Sequence, residues 1–347
     1  MAESTEIAWC DSTFNPWEGC QKVGPGCDHC YAEARNARFG GGTAPNWGPG
    51  APRRRTSPAN WRKPIAWDAA HAEFFATHGR RQRIFCASLA DVFDNAVVPA
   101  WRADLLDLIA RTPHLDWLLL TKRIGNVLPM LRELTPTGDR QDDLSRALDK
   151  PEHWGHCVAA DWVNGISPKN VWLGATIVNQ EEANRDIPKL LVVPAAKRFL
   201  SMEPLLGQVD LTRVYGIPHC APFNALRPVG CAQHADGFCL GDCKWRFRGI
   251  DWVIVGGESG AGARPMHPDW ARSLRDLCAA AGVAFLFKQW GEYGFRADLR
   301  EDVMRESDGP EAPLIDMPAW MQRVGKRAAG RELDGVTHDG FPGEQHV

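Results

Sequence analysis

Residues 19–31, GCQKVGPGCDHCY, set thiols at Cys20, Cys27 and Cys30 with a C-x6-C-x2-C spacing. Three thiolates from one short loop suit an iron-sulfur cube, because a [4Fe-4S] cluster then keeps one iron without a protein ligand and open to chelation by a small molecule. The bend at Gly24, Pro25 and Gly26 lets the loop wrap a cluster with backbone N–H groups aimed inward. Zinc is a competing reading: a structural zinc takes four ligands, and His29 or Asp28 can supply the fourth, although both sit between two ligating cysteines. Unligated thiols are the third.

A second group, Cys220, Cys231, Cys239 and Cys243, lies within twenty-four residues together with His234, and His219 adjoins it. Soft ligands in a segment poor in apolar residues point to folding energy supplied by a metal. Zinc, a second iron-sulfur cluster and bare cysteines all stay open, since the spacing is not that of a standard zinc finger. Lys244, Arg246 and Arg248 make the segment a nucleic-acid or partner contact, or simply keep it soluble. Cys10, Cys86, Cys157 and Cys278 are scattered and read as small core residues. Eleven cysteines, an odd number, without an export signal argue against a disulfide framework and for a reducing, cytoplasmic compartment.

These groups need elements to hold them. Short β-rich runs ending in polar residues recur: RIFCASLAD (83–91), LDWLLLTKR (115–123), NVWLGATIVNQ (170–180), AKRFLSMEPL (196–205), IDWVIVGGESG (250–260) and VAFLFKQWGE (283–292). EIAW, residues 6–9, is the expected first strand. Helical spacing links Trp101, Leu105, Leu108 and Ile109, then Ile124, Val127, Leu128 and Leu131, then Trp270, Leu274, Leu277 and Ala281 before the stop at Gly282. Continuous apolar runs such as WLLL and WVIV indicate a parallel sheet covered by helices. Six or seven β/α units without a GxGxxG favour an α/β fold of TIM-like type, a complete or partial (β/α) barrel, over a dinucleotide fold.

The barrel domain is expected over residues 1–206 and 250–292, a cysteine-rich metal-binding insertion over 207–249 and an irregular C-terminal extension over 293–347, with a short helix near Trp320 to Arg327. Residues 135–169 read as an irregular insertion, and residues 40–58, with five Gly and four Pro, as a long loop. Barrel enzymes work at the C-terminal ends of their strands. There the sequence places Ser88 and Asp91, Thr121 and Lys122, Thr176, Asn179 and Gln180, Ser201 and Glu203, Glu258 and Ser259, and Lys288, Gln289 and Glu292. Lys122, Glu203, Glu258 and Lys288 are the candidate catalytic groups; ion pairing between these lysines and glutamates is the plainer alternative. Gly256 and Gly257 allow close backbone approach, and the turn they make can equally give Glu258 a structural hydrogen bond.

Composition narrows the function classes. The chain has 347 residues, 44% hydrophobic and 24% charged, with strand-sized apolar runs and no basic leader, so a soluble protein with no membrane partner is expected. Net charge is -3, which gives no global cationic field. Between Arg35 and Arg83, however, ten basic residues face only Asp68 and Glu73, and Arg53, Arg54 and Arg55 in the Gly/Pro-rich loop are expected to meet a polyanion or to be merely solvated.

The cysteine loop resembles the radical S-adenosylmethionine superfamily, whose usual C-x3-C-x2-C follows the first strand of a (β/α) barrel with an aromatic or His before the last Cys. Here Cys20, Cys27 and Cys30 match the triad and His29 the penultimate residue, while the first interval is three residues longer. The segments FNPWEGCQKVGPGCDHCYAE, FCASLADVFD, LLTKR, VWLGATIVNQ, RFLSMEPLLGQVDL, WVIVGGESG, ARPM, FKQWGE and GKRAAGRELDG are similar to a phage-associated three-cysteine-motif family, related in its first half to spore photoproduct lyase. The resemblance implies that a reduced [4Fe-4S] cluster passes one electron to S-adenosylmethionine and cleaves it to methionine and a 5'-deoxyadenosyl radical. It implies cofactor-binding roles for His29, Ser88, Asp91, Thr176, Asn179 and Glu203, a reductant such as flavodoxin or ferredoxin, and a DNA or RNA substrate or a partner protein. The GGE of the superfamily usually follows strand two, whereas Gly256, Gly257 and Glu258 follow strand six. A non-enzymatic zinc module that binds nucleic acid or protein is the alternative.

Overall fold

The computed structural model describes residues 5, 7–135, 154–216, 221–228, 248–295 and 321–343. Seven strands form one parallel sheet: β1 (Ser12–Thr13), β4 (Gln82–Cys86), β5 (Leu115–Thr121), β6 (Val171–Thr176), β7 (Lys197–Met202), β8 (Trp252–Gly256) and β9 (Ala284–Gln289), adjacent in that order. Strand order follows chain order without reversal, the topology of a singly wound barrel rather than a doubly wound sheet. The sheet curls into a half-barrel, and β1 and β9 stay at opposite ends. This is the partial form of the expected fold. A two-residue pair, β2 (Trp17–Glu18) with β3 (Arg54–Arg55), lies outside the sheet.

Side-chain alternation divides the apolar residues into two bodies. On the convex face Ile84, Cys86, Trp117, Leu119, Leu173, Leu200, Val253 and Phe287 join the large core under the helices. These helices are α5 (Pro99–Ala110), α6 (Val127–Glu133), α7 (Trp154–Val163), α8 (Gln180–Val192) and α9 (Pro268–Ala281), following α1 (Tyr31–Phe39), α2 (Pro58–Trp61), α3 (Lys63–Ala69) and α4 (His71–His78). Leu105, Leu108 and Ile109 of α5 and Leu274 of α9 are buried as their spacing predicts, and α9 stops at Gly282 with φ 68°.

On the concave face Phe85, Leu118, Trp172, Phe199, Trp252, Ile254 and Leu286 make a smaller cluster. Its ring centroids are 4.4 Å apart for Trp9 and Phe85 and 5.9 Å for Phe199 and Trp252, so aromatic packing plugs one end of the half-barrel.

Several boundaries differ from the sequence reading. EIAW does not start the sheet: the chain turns at Ala8 and Trp9, Trp9 enters the aromatic plug, and pairing begins at Ser12 against Ile84. The C-terminal extension is less irregular than expected. Strand β10 (Tyr293–Phe295) pairs with β11 (Met321–Arg323), helix α10 (Lys326–Ala329) starts later than Trp320, and β12 (Glu332–Leu333) and β13 (Val336–Thr337) form a hairpin. Within 135–169, α7 belongs to the covering layer, with Ala159 and Trp162 fully buried. Within 207–249, the flanking Val209, Leu211, Val214, Phe223 and Ala225 join the main core. Cys220, Cys231, Cys239 and Cys243, and with them His219 and His234, lie outside the described residues. No helix among the described residues is long and apolar enough to cross a membrane.

Candidate functional site

The open end of the half-barrel carries a cavity of about 590 Å³. Its floor is apolar, from Ile7, Trp9, Phe85 and Leu120, and its walls hold Ser88, Asp91, Lys122, Thr176, Ser201, Glu203, Glu258 and Lys288. Cys20, Cys27, His29 and Cys30 line it from the loop that follows β2. The strands therefore bring together every candidate site residue of the described chain except Asn179. That residue is the N-cap of α8, where its Oδ1 accepts from Glu182 N at 2.9 Å.

The cysteine loop is held from both sides. Gly26 packs where a Cβ would stand 2.8 Å from a Val178 methyl carbon and 3.4 Å from Lys122 Nζ, so only glycine brings the loop this close to β5 and β6. On one flank Arg123 Nη1 donates to Cys20 Sγ at 3.4 Å and to Asp91 at 3.1 Å, while Nη2 donates to Gln21 O at 2.7 Å. Across the mouth, His29 Nδ1 lies 3.2 Å from Glu258, and Arg264 joins Glu258 at 2.7 Å, Asp28 at 2.9 Å and Pro25 O at 2.8 Å. Burial pushes the Glu258 carboxyl up, but the Arg264 guanidinium and the His29 contact outweigh it and hold the group below the usual carboxylate range.

This arrangement reassigns some groups. Asp91 lines the cavity, yet both its oxygens are engaged, by Phe93 N at 2.9 Å, Thr121 Oγ1 at 2.8 Å, Lys122 N at 3.0 Å and Arg123. It positions Arg123 and the β5 loop rather than presenting a free carboxylate. Glu203 and Lys288 pair at 2.7 Å, with Gln289 Nε2 donating to Glu203 at 3.0 Å, which is the plainer of the two expected arrangements. Glu258 likewise pairs with Arg264. Lys122 makes no ion pair among the described residues. Ser88 exchanges hydrogen bonds with Asn15, whose Oδ1 also accepts from Leu89 N at 2.7 Å.

The Arg53–Arg55 expectation is corrected at Arg53, whereas Arg54 and Arg55 stay exposed. Arg53 is buried and bonds Asp94 at 2.6 Å, Arg54 pairs with Glu18, and Arg55 pairs with Asp104 while lying 4.3 Å from the Trp61 ring centroid. The 40–58 loop instead folds back on the cysteine loop, where Gly48 N donates to Cys20 O at 2.8 Å.

The donor set also bears on the implied metal. Burial pushes the Cys20 thiol up to about 11, with Asp91 adding and Arg123 opposing, and it raises Cys30 as well. Thiols in such a setting become thiolates beside a strong cation. Among the described residues, no three His, Cys, Asp or Glu side chains stand together closely enough for one metal ion. His29 and Asp28, the fourth ligands that zinc would need, are engaged by Glu258 and Arg264. Cys20, Cys27 and Cys30 nonetheless all line the one cavity. Trp9, 2% exposed, adds to the floor an indole N–H with no partner among the described residues.

Sequence reasoning missed Arg123, Arg264, Asn15 and Trp9. Arg123 directly follows Lys122 and Arg264 stands in the ARPM segment, but neither spacing announces a contact 103 or 236 positions away. Nothing matches the chain among curated proteins or among solved structures. A family model described as "protein of unknown function (DUF5131)" matches residues 4–342. The chain, spanned almost end to end by that match, belongs to the DUF5131 family of proteins of unknown function.

Proposed function

We propose that this protein is a radical S-adenosylmethionine enzyme acting on a nucleic acid. The observation that carries the reading is the convergence of Cys20, Cys27 and Cys30 with polar strand ends on one cavity at the mouth of a parallel half-barrel. The likeness of the loop to the radical superfamily and of the wider chain to the phage-associated three-cysteine-motif proteins supports it.

In this reading the three cysteines hold a [4Fe-4S] cluster, which when bound supplies one-electron reductive cleavage of S-adenosylmethionine. Arg123 orients Cys20, and the His29–Glu258–Arg264 clasp seats the loop. Ser88, Thr176 and Lys122 meet the polar parts of the cofactor, and Trp9, Phe85 and Leu120 keep water from the floor. Lys288, Glu203, Gln289 and Ser259, linked by hydrogen bonds, form the wall left for substrate. Cys220, Cys231, Cys239 and Cys243 hold a second metal, zinc or iron-sulfur.

Protein purified without oxygen is expected to be brown, with about four irons and four sulfides per triad. With a reductant such as flavodoxin or dithionite it should form 5'-deoxyadenosine and methionine. Colourless protein containing only zinc, from the same preparation, would overturn the reading in favour of a binding module.

A further inference from the structure

Helix α1 leaves the cysteine loop at Tyr31 and exposes one face. Tyr31 is 60% exposed and Phe39 74% exposed, and Arg35 and Arg38 lie between them at the three- and four-residue spacing of a single helical stripe. The two guanidinium carbons stand 5.0 and 6.0 Å from the Phe39 ring centroid. The Tyr31 hydroxyl donates to Ser88 O, which fixes the ring on the lip of the cavity that it also lines.

Charge on this face is unbalanced. Arg35 and Arg54 share the largely buried carboxylate of Glu18, and Arg38 makes no ion pair among the described residues. Three guanidiniums thus meet one carboxylate. Glu33, on the flank, is taken by Lys22 at 3.4 Å.

We infer that the exposed face of α1 is a track for single-stranded nucleic acid, running from Phe39 to Tyr31 and ending at the cavity mouth. The exposed rings of Phe39, flanked by guanidiniums, and of Tyr31 offer faces that stack with any base, and the surplus cations meet phosphates, the pairing that sequence-tolerant single-strand binders use. From Tyr31 to Phe39 the stripe is about 12 Å long at the helical rise, room for a few nucleotides but not for a duplex footprint. The cavity beyond, of about 590 Å³, is of small-molecule size, so a base must leave its stack to enter it. That last step rests on the function proposed above; the track does not, because binding needs neither cluster nor cofactor.

The test uses the full chain, metal-free and in air, with fluorescent oligo-dT and oligo-U read by anisotropy at several salt concentrations. Arg35→Gln with Arg38→Gln should weaken binding about tenfold or more at low salt and flatten the log-log salt slope by about 1.4. Phe39→Ala should weaken it roughly five- to hundredfold while leaving the slope unchanged, since stacking releases no counterions. Arg111→Gln, at the end of α5, should bind as the parent does. All four positions are exposed or paired at the surface, and matched unfolding midpoints show that the fold is kept. No strand binding by the parent at low salt, variants that bind like the parent, or a duplex that competes as well as the single strand would each overturn the assignment. An acidic protein that binds the Phe39 variant and the parent alike, and displaces the strand from both, would assign the face to a protein partner instead. Failure here leaves cofactor cleavage untouched, and loss of cleavage in cysteine variants leaves strand binding untouched, so the two readings fail separately.

Discussion

Arg123 stands between Cys20 and Asp91, donating to the thiol sulfur at 3.4 Å and to the carboxylate at 3.1 Å. Asp91 thereby acts on the cysteine loop through another side chain, and the polar end of β5 becomes the part that sets where Cys20 sits. Arg123→Lys keeps the charge but cannot serve Cys20, Asp91 and Gln21 O together. The variant should lose about 1–3 kcal/mol of stability, the scale of hydrogen bonds to charged groups. Amide exchange of residues 19–24 in the metal-free protein should also quicken; unchanged exchange there would mean that the loop is seated without Arg123.

Replacing Cys20, Cys27 or Cys30 singly with Ala should abolish cofactor cleavage and remove the iron and oxygen-sensitive absorbance owed to the triad's cluster, while leaving far-ultraviolet dichroism intact. The large core is built from helix and sheet residues and does not include these three positions. Iron and sulfide analysis of each variant beside the parent checks this, and a triple variant that keeps the parent's full iron content counts against the site.

Much of the sheet was legible because buried parallel strands leave a local mark: WLLL and WVIV fall inside β5 and β8, and each strand end read as polar lines or borders the cavity. EIAW carries the same β-branched and aromatic mark but plugs the barrel, since apolar character alone does not tell a strand from a stopper. The arginine loop misled for a different reason. Gly and Pro around Arg53 signal exposure, whereas its partner Asp94 lies 41 positions on and draws it inside. Long-range ion pairs such as Arg53–Asp94, Arg123–Asp91 and Arg264–Asp28 have no periodic signature, and they decide which charged groups are free to act.

Gly257→Ala should collapse the mouth. A Cβ there would stand 1.9 Å from Trp290 O, a backbone atom that no rotamer change moves aside. Gly257 N also donates to Gln289 O at 2.9 Å, so the clash falls on the joint between β8 and β9 that carries Glu258 and Lys288. A loss of about 1–3 kcal/mol or more is expected for such overpacking, read as a lower denaturant midpoint with an unchanged slope.

The C-terminal hairpin offers a pH-dependent test of how β9, the strand carrying Lys288, is kept in place. Asp334 and Gly335 turn it with φ 54° and 74°, both left-handed, as a two-residue hairpin requires. Beyond the turn, Phe287 N donates to His338 O at 3.0 Å and Gly340 N to Phe285 O at 3.0 Å, so the segment covers the open edge of β9. Asp334 ties the turn to α9 through Arg272 at 2.8 Å and Arg275 at 2.6 Å. Burial pushes its carboxyl up, but the two guanidiniums outweigh it and leave the group below the ordinary aspartate value. A carboxylate depressed in the folded state contributes stability that is fully present above its unfolded value, near 3.9, and is lost as pH falls through the lower folded value. With the side chain 37% exposed, solvent screening limits the effect to about 0.5–1 kcal/mol. Asp334→Asn keeps a residue that tolerates the left-handed turn and removes only the charge. Denaturant unfolding should therefore show parent and variant differing by a constant amount from pH 7 to pH 5 and converging below about pH 4. A difference that persists unchanged at pH 3 would trace the stabilisation to turn geometry rather than to the Arg272 and Arg275 pairing.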